Sequence, residues 1–141
     1  YMQVFIIGTP LETARVLDPK RLNRQIQETE VILATLNGAK AWSNHPCVLQ
    51  YREHQQWLYE YLQCLKEFAL GRVYTPQEYS KFANKYRPPF HTQEYFDQMK
   101  RRLYTKDPEH YKQWADLGTS EENWYFVDGE WRKYVNGKRV E

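Results

Sequence analysis

From Asp18 onward the apolar positions Leu22, Ile26, Thr29, Leu33 and Leu36 recur three or four residues apart, which sets them in one stripe on an α-helix. Asn37-Gly38 closes that helix as a C-cap. A second stripe, Trp57, Leu58, Tyr61, Leu62, Leu65 and Phe68, predicts a long helix from about Pro46 to Leu70, with Gly71 as its stop. Shorter helices are expected from Pro76 to about Tyr86, from about Thr92 to Tyr104 and from Pro108 to about Leu117, the first of them ended by Arg87-Pro88-Pro89. The helix starts share a signature. Thr9-Pro10 with Glu12 and Thr75-Pro76 with Glu78 read as capping boxes with proline at the first helical position, and Asp18-Pro19 and Asp107-Pro108 as simpler caps. The Thr or Asp oxygen accepts from an orphan amide, while proline has no N–H to leave unsatisfied.

The pattern changes after residue 120. Asn123 to Val127, Asp128-Gly129, Glu130 to Val135 and Asn136-Gly137 read as strands joined by the favoured two-residue hairpin loops. Such a meander is marginal alone and needs a helical body to pack on. The expected fold is therefore mainly α, a compact single domain over residues 1–141 with two long helices, several short ones and a small C-terminal β-hairpin or meander.

Composition narrows the class. The 141 residues include 5 Trp, 12 Tyr and 6 Phe, or 16% aromatics, in a chain that is otherwise polar; a disordered chain lacks such bulk. No apolar run approaches the roughly 20 residues that span a bilayer, and Met2-Gln3-Val4-Phe5-Ile6-Ile7 has neither a basic leader nor a cleavage site. Cys47 and Cys64 are too few for a disulfide framework, which fits a reducing compartment and makes the cytoplasm the default. A net charge of +2 neither requires nor excludes nucleic acid, so the distribution of charge has to decide.

Three places could carry chemistry. On the first long helix Arg21, Arg24 and Glu28 fall within about 60° of one another, opposite the Leu22/Ile26/Leu33 stripe, with Lys20 and Gln25 flanking them. Either this is a working face, a carboxylate one turn from two guanidiniums, or it is a solvated face with ordinary Arg24–Glu28 pairing. Trp42-Ser43-Asn44-His45-Pro46 puts an aromatic, two polar side chains and an imidazole into one tight junction; the plainer alternative is that Ser43 or Asn44 caps the next helix. In Trp131-Arg132-Lys133-Tyr134, alternation sends Trp131 and Lys133 to one face and Arg132 and Tyr134 to the other. Cations beside stacking rings suit nucleic acid, unless the rings face the core. The four histidines and two cysteines show no pair at ligand spacing, so no metal is expected, and there is neither a nucleophile elbow nor a Gly-rich phosphate loop.

Together these pieces resemble the pyrimidine dimer DNA glycosylase family, in its bacterial branch. Leu17-Asp18-Pro19-Lys20-Arg21-Leu22 with Arg24, Gln25 and Glu28 looks like that branch's first helix, and Trp42-Ser43-Asn44-His45-Pro46 like its Asn-His-Pro junction. Pro88-Pro89, Lys106-Asp107-Pro108-Glu109-His110-Tyr111 and the Trp/Tyr/Lys-rich tail complete a likeness that covers most of the chain. The resemblance implies a cofactor-free, monomeric DNA glycosylase with AP lyase activity that acts on damaged or abasic double-stranded DNA and uses an N-terminal amine to form an imine. Tyr1 reads as an appended residue, so the amine would be that of Met2, followed by Gln3. In phage members the catalytic glutamate stands beside an arginine at the start of the first long helix; Lys20-Arg21-Leu22-Asn23 has no carboxylate, and Glu28 is nominated for sharing a face with Arg21 and Arg24. Lys20, Gln25, Asn44, His45, Trp131, Lys133 and Tyr134 are the candidate DNA contacts. Two other readings stand beside this one: a non-catalytic module of the same fold that recognises distorted or modified DNA, and a small helical domain whose aromatic surface binds another protein.

Overall fold

A computed structural model describes residues 2–40, 42–72 and 86–140. Helix α1 (Pro10–Val16) begins where Thr9 accepts from the Glu12 amide, and α2 (Pro19–Leu36) where Asp18 accepts from the Arg21 amide. Helix α2 ends at Asn37 with Gly38 at a φ of 115° and the Ala39 amide donating to the Ala34 carbonyl at 3.0 Å, the six-to-one bond of a Schellman cap.

The single helix expected from Pro46 to Leu70 is two: α3 (Pro46–Tyr51) and α4 (Gln55–Ala69), separated by Arg52, Glu53 and His54. On one unbroken helix, Tyr51 and Trp57 would project about 120° apart. The break instead stacks their rings at 5.7 Å, and Trp57 stacks in turn on Tyr61 at 5.1 Å. It also lets α3 pack on the sheet while α4 packs on α1 and α2. The helix expected from Pro76, with its Thr75 cap, falls almost wholly outside the described residues.

Helix α5 (Gln93–Lys106) starts at Thr92, which accepts from the Tyr95 amide. The expected helix from Pro108 is a turn followed by a 3₁₀ helix over Lys112–Leu117. Here the Tyr111 side chain is drawn back to Asp18: the Asp18 amide donates to the Tyr111 hydroxyl at 3.0 Å, and that hydroxyl donates to the Asp18 carboxylate. Strands β1 (Asn123–Val127), β2 (Glu130–Val135) and β3 (Lys138–Val140) form an antiparallel sheet in that order. Both hairpin loops place two residues at positive φ, Asp128 and Gly129 in one and Asn136 and Gly137 in the other, as primed turns require.

The core is rich in rings. Tyr51, Trp57, Tyr61, Phe90, Tyr95, Tyr111 and Tyr125 are all buried, together with Val4, Ile6, Ile32 and Leu58. His91 is buried among them, its ring 4.6 Å from Trp57 and its Nε2 2.8 Å from the Tyr51 hydroxyl. The buried stripe of α2 runs through Leu22, Gln25, Thr29, Ile32 and Thr35. It is turned about one residue from the apolar stripe read in the sequence, so Ile26 and Leu33 are half-buried and a glutamine lies in the core. No helix among the described residues is long and apolar enough to cross a membrane.

Candidate active site

The segment Met2–Ile7 belongs to no helix or strand, yet Gln3 to Ile6 are buried. Buried backbone needs partners, and α2 and α4 provide them. Gln25, 1% exposed, accepts from the Phe5 amide at 2.9 Å through Oε1 and donates to the Gln3 carbonyl at 2.7 Å through Nε2. A carbonyl and the amide two residues on face the same side of an extended chain, so one primary amide satisfies both, as a neighbouring strand would. The Tyr61 hydroxyl, 2.6 Å from the Phe5 carbonyl and 2.9 Å from Gln25 Oε1, closes the arrangement. At the other end the Tyr125 hydroxyl donates to the Met2 carbonyl at 2.6 Å.

Two adjoining clefts open on the exposed side of this lock. One, of about 260 Å³, is lined by Phe5, Lys20, Arg21, Arg24, Gln25, Glu28 and Lys106. The other, of about 370 Å³, is lined by Met2, Arg24, Gln27, Glu28, Val31, Trp42 and His45. Arg24 and Glu28 belong to both, so the two form one groove across α2 with the carboxylate at its middle. Glu28 Oε1 accepts from Arg24 Nε at 3.3 Å, and its Oε2 accepts from Gln25 Nε2 at 3.3 Å. The arginine–glutamate face read in the sequence is thus a cleft wall, and Met2 reaches the same wall.

The two arginines differ. Arg24 extends into solvent beyond its bond to Glu28, its side chain 71% exposed. Arg21 is half-buried and tied to Asp18 at 3.2 Å and Asp107 at 3.8 Å, which joins the starts of α2 and of the turn after α5. Burial raises the Asp18 carboxyl, but the Tyr111 hydroxyl and Arg21 outweigh it and hold it below the usual carboxylate range. Lys106, which faces this wall from the end of α5, has its ammonium pushed down by partial burial and by Arg102 and Arg21, against the opposing pull of Glu28.

At the other end His45 is the N-cap of α3, its Nδ1 accepting from the Cys47 amide at 3.0 Å; neither Ser43 nor Asn44 fills that position. Burial, helped by the positive charge of the chain's amino terminus, pulls its pKa down to about 4. Its ring lies between Trp42 at 6.1 Å and Tyr125 at 5.9 Å, edge-on to both. Trp42 is 60% exposed and holds a φ of 65°, a conformation uncommon for a bulky residue. Asn44 is exposed in the turn and lines neither cleft.

The remaining candidates are dispersed. Gln3 is 1% exposed, lines neither cleft, and its carbonyl rather than its side chain meets Gln25. Gln25 is a buried lock and not a flanking surface residue. Tyr134 packs edge-on against Tyr125 at 5.6 Å, on the sheet face that looks toward Met2 and His45. Trp131 and Lys133 are on the opposite face, as alternation predicts, paired across from Phe126 and Trp124. Trp131 meets Phe126 at 5.1 Å and Tyr95 at 5.5 Å and is 39% exposed, while Lys133 Nζ is 4.8 Å from the centre of the Trp124 ring. Both cysteines are buried, and burial pushes the Cys47 thiol up, which removes it as a nucleophile.

Sequence reasoning missed Phe5, Gln27, Val31 and Lys106 as cleft residues, and it singled out Trp42 only as part of the junction before Pro46. Gln27 and Val31 follow Arg24 and Glu28 by one helical turn and were legible from the same wheel; Lys106 comes from a distant helix and was not. A family model described as pyrimidine dimer DNA glycosylase matches residues 2–81, which include every cleft residue except Lys106. No curated protein and no solved structure matches the chain.

Proposed function

The chain belongs to the pyrimidine dimer DNA glycosylase family, and from that premise we propose that it is a DNA glycosylase with AP lyase activity whose chemistry takes place in the groove across α2. One observation carries the proposal: Met2, in the amino-terminal segment, and the Glu28 carboxylate line one cleft, and Arg24 and Glu28 also line the adjoining cleft, which bears Lys20, Arg21 and Lys106. The family's substrate is DNA, and four cations around one carboxylate suit a phosphate backbone.

In the proposed reaction the unprotonated α-amine attacks C1′ of the damaged nucleotide. The glycosidic C1′–N bond breaks, and the base leaves with one proton from the attacking nitrogen. The C1′–O4′ bond then opens, O4′ takes the second proton, and an imine joins the chain to the sugar. Loss of a C2′ proton to a general base expels the 3′ phosphate by β-elimination, and water hydrolyses the imine to restore the amine. An α-amine suits the attack because its reference pKa of roughly 7.7 to 8.0 leaves a neutral fraction at pH 7. Glu28 stabilises positive charge at the sugar and moves the C2′ proton. Lys20, Arg21 and Arg24 hold phosphates of a kinked strand, whose bending and unstacking cost a few kcal/mol, less at a damaged pair.

The test is to mix protein that begins at Met2 with an abasic duplex and borohydride and to separate the products on a denaturing gel. A covalent adduct is expected, and it should vanish when the α-amine is acetylated. Duplex binding without any adduct would leave the chain as a recognition module on this fold.

A further inference from the structure

The Gln25 amide accepts from the Phe5 amide and donates both of its protons, to the Gln3 carbonyl and to Glu28, while the one proton of the Tyr61 hydroxyl is shared between the Phe5 carbonyl and Gln25 Oε1. The orientation of the amide is not free. Turning it over would set its NH₂ against the Phe5 N–H and its oxygen against the Gln3 carbonyl, two like contacts in a buried place. The proton aimed at Glu28 is therefore fixed by the backbone of residues 3–5. The amino-terminal segment and the carboxylate are referenced to one planar group.

We propose that Gln25 is a positioning residue: by gripping Gln3 and Phe5 with one side of its amide and Glu28 with a remaining proton, it holds the amino terminus and the Glu28 carboxylate in a common frame. The inference rests on the reading that these two groups carry the reaction. It adds that their mutual placement is set by a buried amide that touches neither DNA nor the reacting sugar. Reactions of this kind are sensitive to placement, since a displacement of about 1 Å can cost on the order of 10²-fold in rate.

Gln25→Glu keeps the side chain's length and acceptor oxygen but removes both donated protons. Single-turnover borohydride trapping on an abasic duplex at saturating protein, together with a binding titration, separates the roles. With Gln25 as a positioning residue, the saturating rate falls by about 10- to 100-fold while duplex affinity and its salt dependence stay at the wild-type level. Tyr51→Phe, which deletes a buried hydroxyl bonded to His91, supplies the control: it lowers the melting temperature and leaves the trapping rate unchanged. If Gln25→Glu does not fold, Gln25→Asn, which draws the amide back by one methylene, takes its place with the same expectation. A folded Gln25 variant that traps at the wild-type rate overturns the proposal, and so does one whose loss is confined to affinity, which would make Gln25 a DNA contact. Loss of trapping in Tyr51→Phe equal to that in the Gln25 variant also overturns it, by reducing the effect to general stability. Absence of any adduct with the wild-type protein is a different result and removes the imine reading itself.

Discussion

On the sheet, Arg132 pairs with Asp128 and Glu130, Arg139 pairs with Glu130, and Lys133 lies over the Trp124 ring. Across α2, Lys20, Arg24 and Lys106 face a single carboxylate, Glu28. Both regions carry clustered cations. Their electrostatics differ. A cation already matched to a carboxylate or a ring must give up that partner to hold a phosphate, whereas a wall with more positive than negative groups attracts one from a distance. The sheet's rings also lean on one another: Trp131, 39% exposed, packs on Phe126 and Tyr95, while Trp42, 60% exposed, stands beside Met2 and His45. The same residue types therefore build a fold at one end and a cleft at the other.

The largest effect should come from Glu28, the one carboxylate that lines the cleft among the described residues. Glu28→Gln keeps the side chain's shape and its contact with Gln25 but removes the charge, and cleavage should fall by about 10²- to 10⁴-fold, the usual worth of a positioned acid or base. Duplex affinity should stay within a few-fold. Steady-state cleavage of a dimer-containing duplex is the check, and wild-type turnover in this variant would return α2 to a solvated face.

Acid should act next, on the packing beneath the sheet. Burial, with Arg87 and His54 adding to it, pulls His91 down to about 3, and the rings of Tyr51, Trp57 and Tyr95 enclose it. Its folded value is below the unfolded reference of roughly 6.5. The unfolded chain therefore takes up a proton below that pH while the folded chain does not. Stability is complete above about pH 6.5 and is lost as pH falls through the window toward 3, by on the order of 5 kcal/mol at about 1.4 kcal/mol per unit. His45 adds to the loss between 6.5 and about 4. Urea midpoints across pH 7 to 4 should decline accordingly, and His91→Phe should flatten the decline. An unchanged slope in that variant would take His91 out of the account.

Much of this was legible beforehand, and the misses share a cause. Thr9 and Asp18 cap where they should, and Asp128-Gly129 and Asn136-Gly137 turn as expected, because caps and hairpin loops are local chemistry. The Arg24–Glu28 wall was equally local. The break at Arg52–His54 was not, because it answers to Tyr51 and Trp57 meeting in space rather than to any breaker residue. Gln25 reads as a surface contact in the sequence because a polar residue beside an apolar stripe is ordinarily exposed. Its burial depends on an amino-terminal segment that lacks a sheet neighbour, and Lys106 enters the cleft only once α5 is folded against α2.

A smaller effect tests whether the sheet's rings are structural. Trp131 is part-exposed and wedged against Phe126, Tyr95 and Trp124, so Trp131→Ala should cost about 2 kcal/mol, less than a fully buried tryptophan. Thermal melting should record that loss, while the ratio of affinities for damaged and undamaged duplex stays as it was. A lost ratio with unchanged melting would move Trp131 to the DNA and erase the distinction between the two regions.

The smallest effect is the most direct on that distinction. Each phosphate contact contributes about −0.9 to the slope of log affinity against log salt. Arg24 is 71% exposed and pairs with Glu28, so Arg24→Ala should lower duplex affinity a few-fold and flatten the slope by about one unit. Lys133 is committed to the Trp124 ring, so Lys133→Ala should leave the slope within experimental error. Titrations from low to moderate salt on one duplex measure both. Equal flattening by the two variants would mean that the sheet lies along the same strand as the groove, and the ion pairs of Arg132 and Arg139 would then be contacts the duplex competes for rather than fixtures of the fold.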